Sequence, residues 1–162
     1  MLAHNGQVAW LDCFGRNGYE NFKIRMKIYL DIDGVLLTTK NTKAAINSEL
    51  FIDFLVKTFD CFWLTTHCKG DLKPTIWYLE QYFKSATIEK LKQIKETNWN
   101  TLKTEAIDFN SEFFWIDDNP FKSEIKILEE FGVKDRLLIV DLNRENEYNN
   151  LISFLTEQTK EK

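Results

Sequence analysis

The stretch Lys27–Leu37, KIYLDIDGVLL, constrains the rest of the chain more than any other. Ile28-Tyr29-Leu30 is too short for a helix, and its aromatic and β-branched content is that of a buried strand. Beyond it, the two-residue period of extended chain turns Asp31 and Asp33 to one side and Ile32 to the other. Gly34 then permits a sharp turn. Two carboxylates aimed at one place repel each other, so this pattern calls for a cation between them.

The segments that follow alternate between helical and extended periods. Leu37 to Ile46 is polar and lysine-containing, a loop or flap beside the aspartates. Asn47 or Ser48 can cap a helix to about Thr58, with Leu50, Phe51, Phe54 and Leu55 on its apolar face. Cys61 to Thr65 reads as a strand ending at Thr65-Thr66-His67. Pro74 suits the first turn of a helix to about Phe83, with Asp71 or Lys73 near its cap and Ile76, Leu79 and Phe83 in the core. Ser85 or Thr87 starts another helix, with Asn98-Trp99-Asn100 as its exit loop and a short helix from Thr101 to Ile107 after it. Phe113 to Ile116 is the most apolar strand and ends at Asp117-Asp118. Asn119-Pro120 caps a helix to Phe131, which Gly132 stops. A last strand, Leu137 to Val140, leads to a helix from about Glu145 to Leu155. This alternation predicts an α/β fold, a Rossmann-like three-layer sandwich around a mainly parallel central sheet.

With 162 residues, the chain reads as one domain able to bury about 70% of its unfolded surface. Residues 26–162 form that domain, and residues 1–25 are either an added hairpin or arm or sequence preceding a start at Met26. A hydrophobic share of 44% with 28% charged residues is that of a globular protein. No apolar run approaches the roughly 18 residues of a membrane span, and polar residues break up the first 25, which predicts a cytoplasmic protein without a membrane partner. The odd cysteine count (Cys13, Cys61, Cys68) agrees with a reducing compartment. A net charge of −4 gives no general attraction to nucleic acid.

In an open parallel sheet the ligand site lies at the carboxyl ends of the strands. Three predicted strands end there in polar residues: Asp31 with Asp33, Thr65 with Thr66, and Asp117 with Asp118. A lysine from a neighbouring helix completes a phosphate site with a metal in it. Phosphoryl transfer through a covalent intermediate uses a carboxylate nucleophile, a second carboxyl group for proton transfer, and a hydroxyl and an ammonium for the remaining charge. Mg2+ suits such a set, because it takes one or two carboxylates together with water and substrate oxygens.

Residues Asp31 to Val35, with their downstream partners as far as Asp141, resemble the haloacid dehalogenase superfamily, as a small phosphatase-like member with minimal or no cap domain. The resemblance implies a hydrolase with Asp31 as nucleophile, forming an aspartyl-phosphate, and Asp33 as general acid/base whose backbone carbonyl also binds Mg2+. It further implies Thr65 as the phosphate-binding hydroxyl, Lys103 as the site cation, and Asp117 and Asp118 as the metal-holding pair. Thr66 rivals Thr65, and Lys92 and Lys95 rival Lys103, which is preferred because it feeds directly into the Asp117 strand. Which of Asp117 and Asp118 touches the metal stays open. The WLTT and WIDD stretches also look like small capless phosphatase domains of nucleic-acid repair proteins.

Plainer readings exist for each element. A calcium loop starting at Asp31 would place Val35 and Thr42 at ligand positions, which neither can fill. Asp117-Asp118-Asn119-Pro120 by itself is a helix cap. Cys61, His67 and Cys68 lack a fourth zinc ligand at suitable spacing, and His67 is a candidate substrate contact beside Thr66. The Phe and Trp residues at helix and strand spacing read as core, Trp99 excepted as a candidate stacking contact. A receiver domain has its acidic pair on the first strand, the reverse of the order here. The segments between the motifs hold no sizeable cap, so the open site admits a large phosphorylated substrate, a nucleic-acid end among them, or is closed by a neighbouring subunit in an oligomer. The rival function is a non-catalytic phosphate-binding or protein-interaction module on the same fold.

Overall fold

The computed structural model describes residues 26–160; the readings placed on residues 1–25 lie outside the described residues. Four strands, β1 (Lys27–Leu30), β2 (Asp60–Trp63), β3 (Phe113–Asp117) and β4 (Leu137–Ile139), form one sheet in the order β2-β1-β3-β4, with every pairing parallel. Five helices connect them: α1 (Ser48–Thr58), α2 (Leu72–Leu79), α3 (Ser85–Leu91), α4 (Lys122–Glu130) and α5 (Glu147–Gln158). The protein is thus α/β with an all-parallel sheet among the described residues. The chain runs outward from β1 to β2, then crosses back to β3 on the other side of β1. A reversal of this kind opens a crevice at the carboxyl ends of the two central strands.

The two faces of the sheet are sorted by residue parity. Ile28, Leu30, Trp63, Phe114 and Ile116 join the cluster formed with α1, α2, α3 and α5, where Phe51, Leu55, Leu79, Leu91 and Leu155 are buried. Tyr29, Phe113 and Trp115 point to the opposite cluster with Trp99, Ile107 and Leu128 of α4. Burial on both faces explains why the strands read as continuous apolar runs instead of alternating ones. Trp63 and Trp115, both at 0% exposure, anchor opposite faces, and truncating a buried aromatic of this kind typically costs about 3–5 kcal/mol.

Several sequence-based boundaries shift. On α1 the buried stripe is Ser48, Phe51, Ile52 and Leu55, while Leu50 is 68% exposed, so the apolar face is rotated from the predicted one. Asn47 precedes α1 with φ 67° and makes no side-chain cap bond. α2 starts at Leu72, capped by Asp71, whose carboxylate accepts from the Lys73 N–H at 2.9 Å. It ends at Leu79, and Phe83 enters the core from the following turn. Trp77 on α2 and Phe121 and Phe131 around α4 are exposed, contrary to their reading as core. Trp99 is buried in the second cluster instead, with the Lys69 ammonium 3.9 Å from its ring centroid, and so reads as core and not as a stacking contact. The predicted helix from Thr101 to Ile107 contracts to one 3₁₀ turn, Lys103–Ala106. α4 is capped at Phe121, not at Asn119-Pro120. No helix among the described residues is long and apolar enough to cross a membrane.

Candidate active site

The site begins where β1 stops. Gly34 has φ 73°, in the left-handed region that a side chain disfavours. Its N–H donates to the Leu37 carbonyl at 2.7 Å, and the Leu36 N–H donates to the Ile32 carbonyl at 2.8 Å. Past this tight turn, Leu37 and Ala44 pair antiparallel, so residues 38–43 form the tip of a small flap. From across the domain, the Tyr148 hydroxyl of α5 donates to the Val35 carbonyl at 2.6 Å.

The register of the sheet brings the carboxylates together. Leu30 is paired with Ile116, and the Asp31 N–H donates to the Ile116 carbonyl at 3.0 Å, so Asp31 and Asp117 stand side by side one residue further on. Both share the parity of Tyr29 and Trp115, on the side covered by the 3₁₀ turn and α4. Lys103, the first residue of that turn, therefore reaches both: its Nζ lies 2.5 Å from Asp31 Oδ2 and 2.6 Å from Asp117 Oδ2. The other Asp31 oxygen, Oδ1, accepts from the Ile32 N–H at 2.7 Å, so the carboxylate is held at both oxygens.

Asp31, Asp117 and Asp118 each offer a ligand oxygen, and these atoms lie within 4.8 Å of one another. Burial and the neighbouring Asp31 charge push Asp117 up to about 7 in spite of Lys103, and the same two causes raise Asp118. Burial works against the Lys103 ammonium, but Asp31 and Asp117 outweigh it and its pKa is raised. One ammonium thus leaves negative charge uncompensated among three carboxylates. A trio of hard oxygen donors with surplus charge fits a divalent cation such as Mg2+.

Asp33 stands apart from that trio. Its Oδ2 lies 2.8 Å from His67 Nε2, and its Oδ1 accepts from the Tyr78 hydroxyl at 3.0 Å. The bond from His67, aided by Tyr78 and opposed by partial burial, lowers the Asp33 pKa. His67, a candidate substrate contact by sequence, is thus a partner of Asp33. Thr65 is fully buried, its hydroxyl accepting from the His67 N–H at 3.5 Å, whereas Thr66 is exposed. Lys92 is bound to Glu89 at 2.7 Å and Lys95 to Asp60 at 2.6 Å, both away from the carboxylates, so Lys103 alone of the three candidates joins the cluster.

Two site residues escaped the sequence reading. Tyr78 lies on α2, and nothing in its local pattern shows which way the helix turns it. Glu124, 1% exposed, accepts from the Lys103 N–H at 2.7 Å and the Phe121 N–H at 2.8 Å, joining the start of α4 to the lysine turn. With Phe121 at the cap position, the Ser/Thr-x-x-Glu pattern that marks such a glutamate is missing from the sequence. Beside Asp118, a cleft of about 600 Å³ opens between the flap, with Thr38 and Lys40, and the segment with Asp141 and Arg144. No protein-family model, curated protein or solved structure matches the chain.

Proposed function

We propose that the protein is a Mg2+-dependent phosphomonoester hydrolase of the haloacid dehalogenase type, working through an aspartyl-phosphate at Asp31. The observation that carries this reading is the Lys103 ammonium between Asp31 and Asp117, at 2.5 and 2.6 Å, next to Asp118 at the carboxyl end of the central strands. Asp31 Oδ1 and Oδ2 are oriented by the Ile32 N–H and by Lys103, which presents the carboxylate in one plane for attack on phosphorus. Asp33 gives a proton to the leaving oxygen and recovers one from the water that hydrolyses the acyl phosphate. Lys103 and the Thr65 hydroxyl supply positive charge and a donor to the phosphoryl oxygens. Bound by Asp31 with the acidic pair Asp117 and Asp118, Mg2+ would neutralise charge on the phosphate and on the attacking carboxylate.

Between Asp33 and β2 the chain holds only the flap and α1, and between Thr66 and Lys103 only α2 and α3. The cleft of about 600 Å³ beside Asp118 leaves room for the alcohol part of a substrate. A large phosphorylated substrate, such as a phosphorylated nucleic-acid end or phosphoprotein, suits so little cover.

The test is hydrolysis of para-nitrophenyl phosphate. Turnover should vanish in Asp31→Asn and on chelation of Mg2+, and undiminished turnover in either case would sink the mechanism. Binding of phosphate or beryllium fluoride near Asp31 without hydrolysis of any phosphoester in a broad panel would favour a phosphate-binding module. A panel of nucleotides, sugar phosphates, phosphopeptides and phosphorylated nucleic-acid ends identifies the substrate class.

A further inference from the structure

Asp33 is the proton-transfer group of the proposed reaction, and its carboxylate is held in a way that the strand it follows does not explain. A carboxylate with a single hydrogen bond can turn about its last side-chain bond. Here each oxygen has its own partner, His67 Nε2 on Oδ2 at 2.8 Å and the Tyr78 hydroxyl on Oδ1 at 3.0 Å. The two partners come from different elements, the turn after β2 and the last turn of α2. They are also joined to each other: the imidazole and phenol rings stack with centroids 4.0 Å apart and planes 11° from parallel.

The pair is itself anchored. Thr75, fully buried on α2, donates its hydroxyl to the His67 carbonyl at 2.8 Å, tying the turn to the helix that carries Tyr78. Tyr82 packs edge-on against Tyr78, with centroids 5.4 Å apart. The donors are therefore held by packing that does not involve Asp33, which is what preorganisation requires. Asp33 remains 43% exposed and so open to a substrate.

Resting on the phosphatase reading, we infer that His67 and Tyr78 are positioning residues, a stacked pair that fixes the plane of the Asp33 carboxyl group for proton transfer to the leaving oxygen. Each carboxyl oxygen has two lone pairs, so the two bonds leave one direction free on each oxygen. The proton in transit uses one of these. As the phosphorus–oxygen bond to the alcohol breaks and the bond to Asp31 forms, the Asp33 proton passes to the departing oxygen. The ionised Asp33 then accepts a proton from the water that attacks the acyl phosphate, which returns the group to its starting form and releases phosphate. His67 and Tyr78 exchange no proton with substrate. Their bonds favour the ionised form of Asp33, so what they contribute to the step that needs an acid is the orientation of its carboxyl group and not its supply of protons.

A leaving-group comparison tests this. Departure of para-nitrophenolate needs little protonation, whereas departure of para-methylphenolate, nearly the same in size, needs much more. The kcat/KM for each substrate reports only steps up to leaving-group departure, so slow release of phosphate from the acyl phosphate does not mask the effect. In Tyr78→Phe, which keeps the stacked ring, kcat/KM for para-methylphenyl phosphate should fall about tenfold further than for para-nitrophenyl phosphate, as for loss of one charge-assisted bond. His67→Ala should show the same selective loss. His67→Gln, whose amide nitrogen can stand near the Nε2 position, should recover part of it. Equal losses on the two substrates in Tyr78→Phe and His67→Ala would overturn the inference and leave the phosphatase reading intact. If the unmodified protein turns over neither substrate, both fall together.

Discussion

Gly34 lies directly against the Asp118 carboxyl group: a Cβ built on Gly34 would overlap Asp118 Oδ2, Cγ and Cβ. Gly34 also has φ 73°. The two constraints act together in Gly34→Ala, which should lose about 1–2 kcal/mol from backbone conformation alone, with a further loss as Asp118 is displaced. Under the metal-dependent reading, added Mg2+ should raise the melting temperature of the unmodified protein and have little effect on the variant. Thermal melts with and without Mg2+ check both outcomes.

Lys103 is 12% exposed and stands between two acidic groups. Lys103→Met leaves Asp31 and Asp117 buried without their cation, a change that costs about 3–5 kcal/mol at neutral pH. Because Asp117 is already pushed toward neutrality, mild acid can protonate it in the variant and recover part of that loss. Urea denaturation at neutral and mildly acidic pH should show the difference. Phosphatase activity should fall by about a hundredfold or more at both.

The pH dependence of stability carries a sign set by the acidic pair. Burial, followed by the Asp31 charge, raises Asp117 from an ordinary 3.8 to about 7. The folded state therefore holds this proton more tightly than the unfolded state. The contribution is fully present below the unfolded value and is lost as pH rises through the folded one. Asp118 is shifted in the same direction, and Asp33 in the opposite one, through its bond from His67. The metal-free protein should thus lose melting temperature from this group as pH rises from about 4 to 7. Asp117→Asn should flatten that part of the curve, and an unchanged slope in the variant would exclude Asp117 as its source.

Glu124 satisfies two backbone donors at once, the N–H groups of Lys103 and Phe121. Glu124→Gln keeps one acceptor oxygen for the two donors and should cost about 1–3 kcal/mol. The deficit falls on the segment that presents Lys103, so kcat/KM for aryl phosphates should fall as well. Chemical denaturation and steady-state kinetics on the same preparation measure the two effects.

Different parts of this structure were legible in the sequence to different degrees, for identifiable reasons. β1 and β3 could be read because burial on both faces makes their apolar runs continuous and their carboxylates end them abruptly. Lys103 could be preferred over Lys92 and Lys95 because chain order places it just ahead of β3. Orientation about a helix axis was harder to read. On α1, Ile52 is buried where Leu50 was expected, a choice decided by the elements packed against the helix. The partners of Asp33 lie 34 and 45 residues away from it, on a turn and a helix whose rotation only packing determines. Glu124 escaped notice because its bond to the Lys103 N–H spans 21 residues, a contact that only packing reveals.

The hydroxyl of Tyr148 reaches the Val35 carbonyl across a separation of 113 residues, and its ring stacks on Phe51 of α1. The turn that follows the two aspartates is thus completed by the last helix of the described chain. The hold that α5 has on this turn therefore forms only once the last helix has docked. Contacts this distant in sequence are slow to form because the whole intervening loop must close first. A chain without a docked α5 would therefore carry the turn beside the aspartates without this anchor.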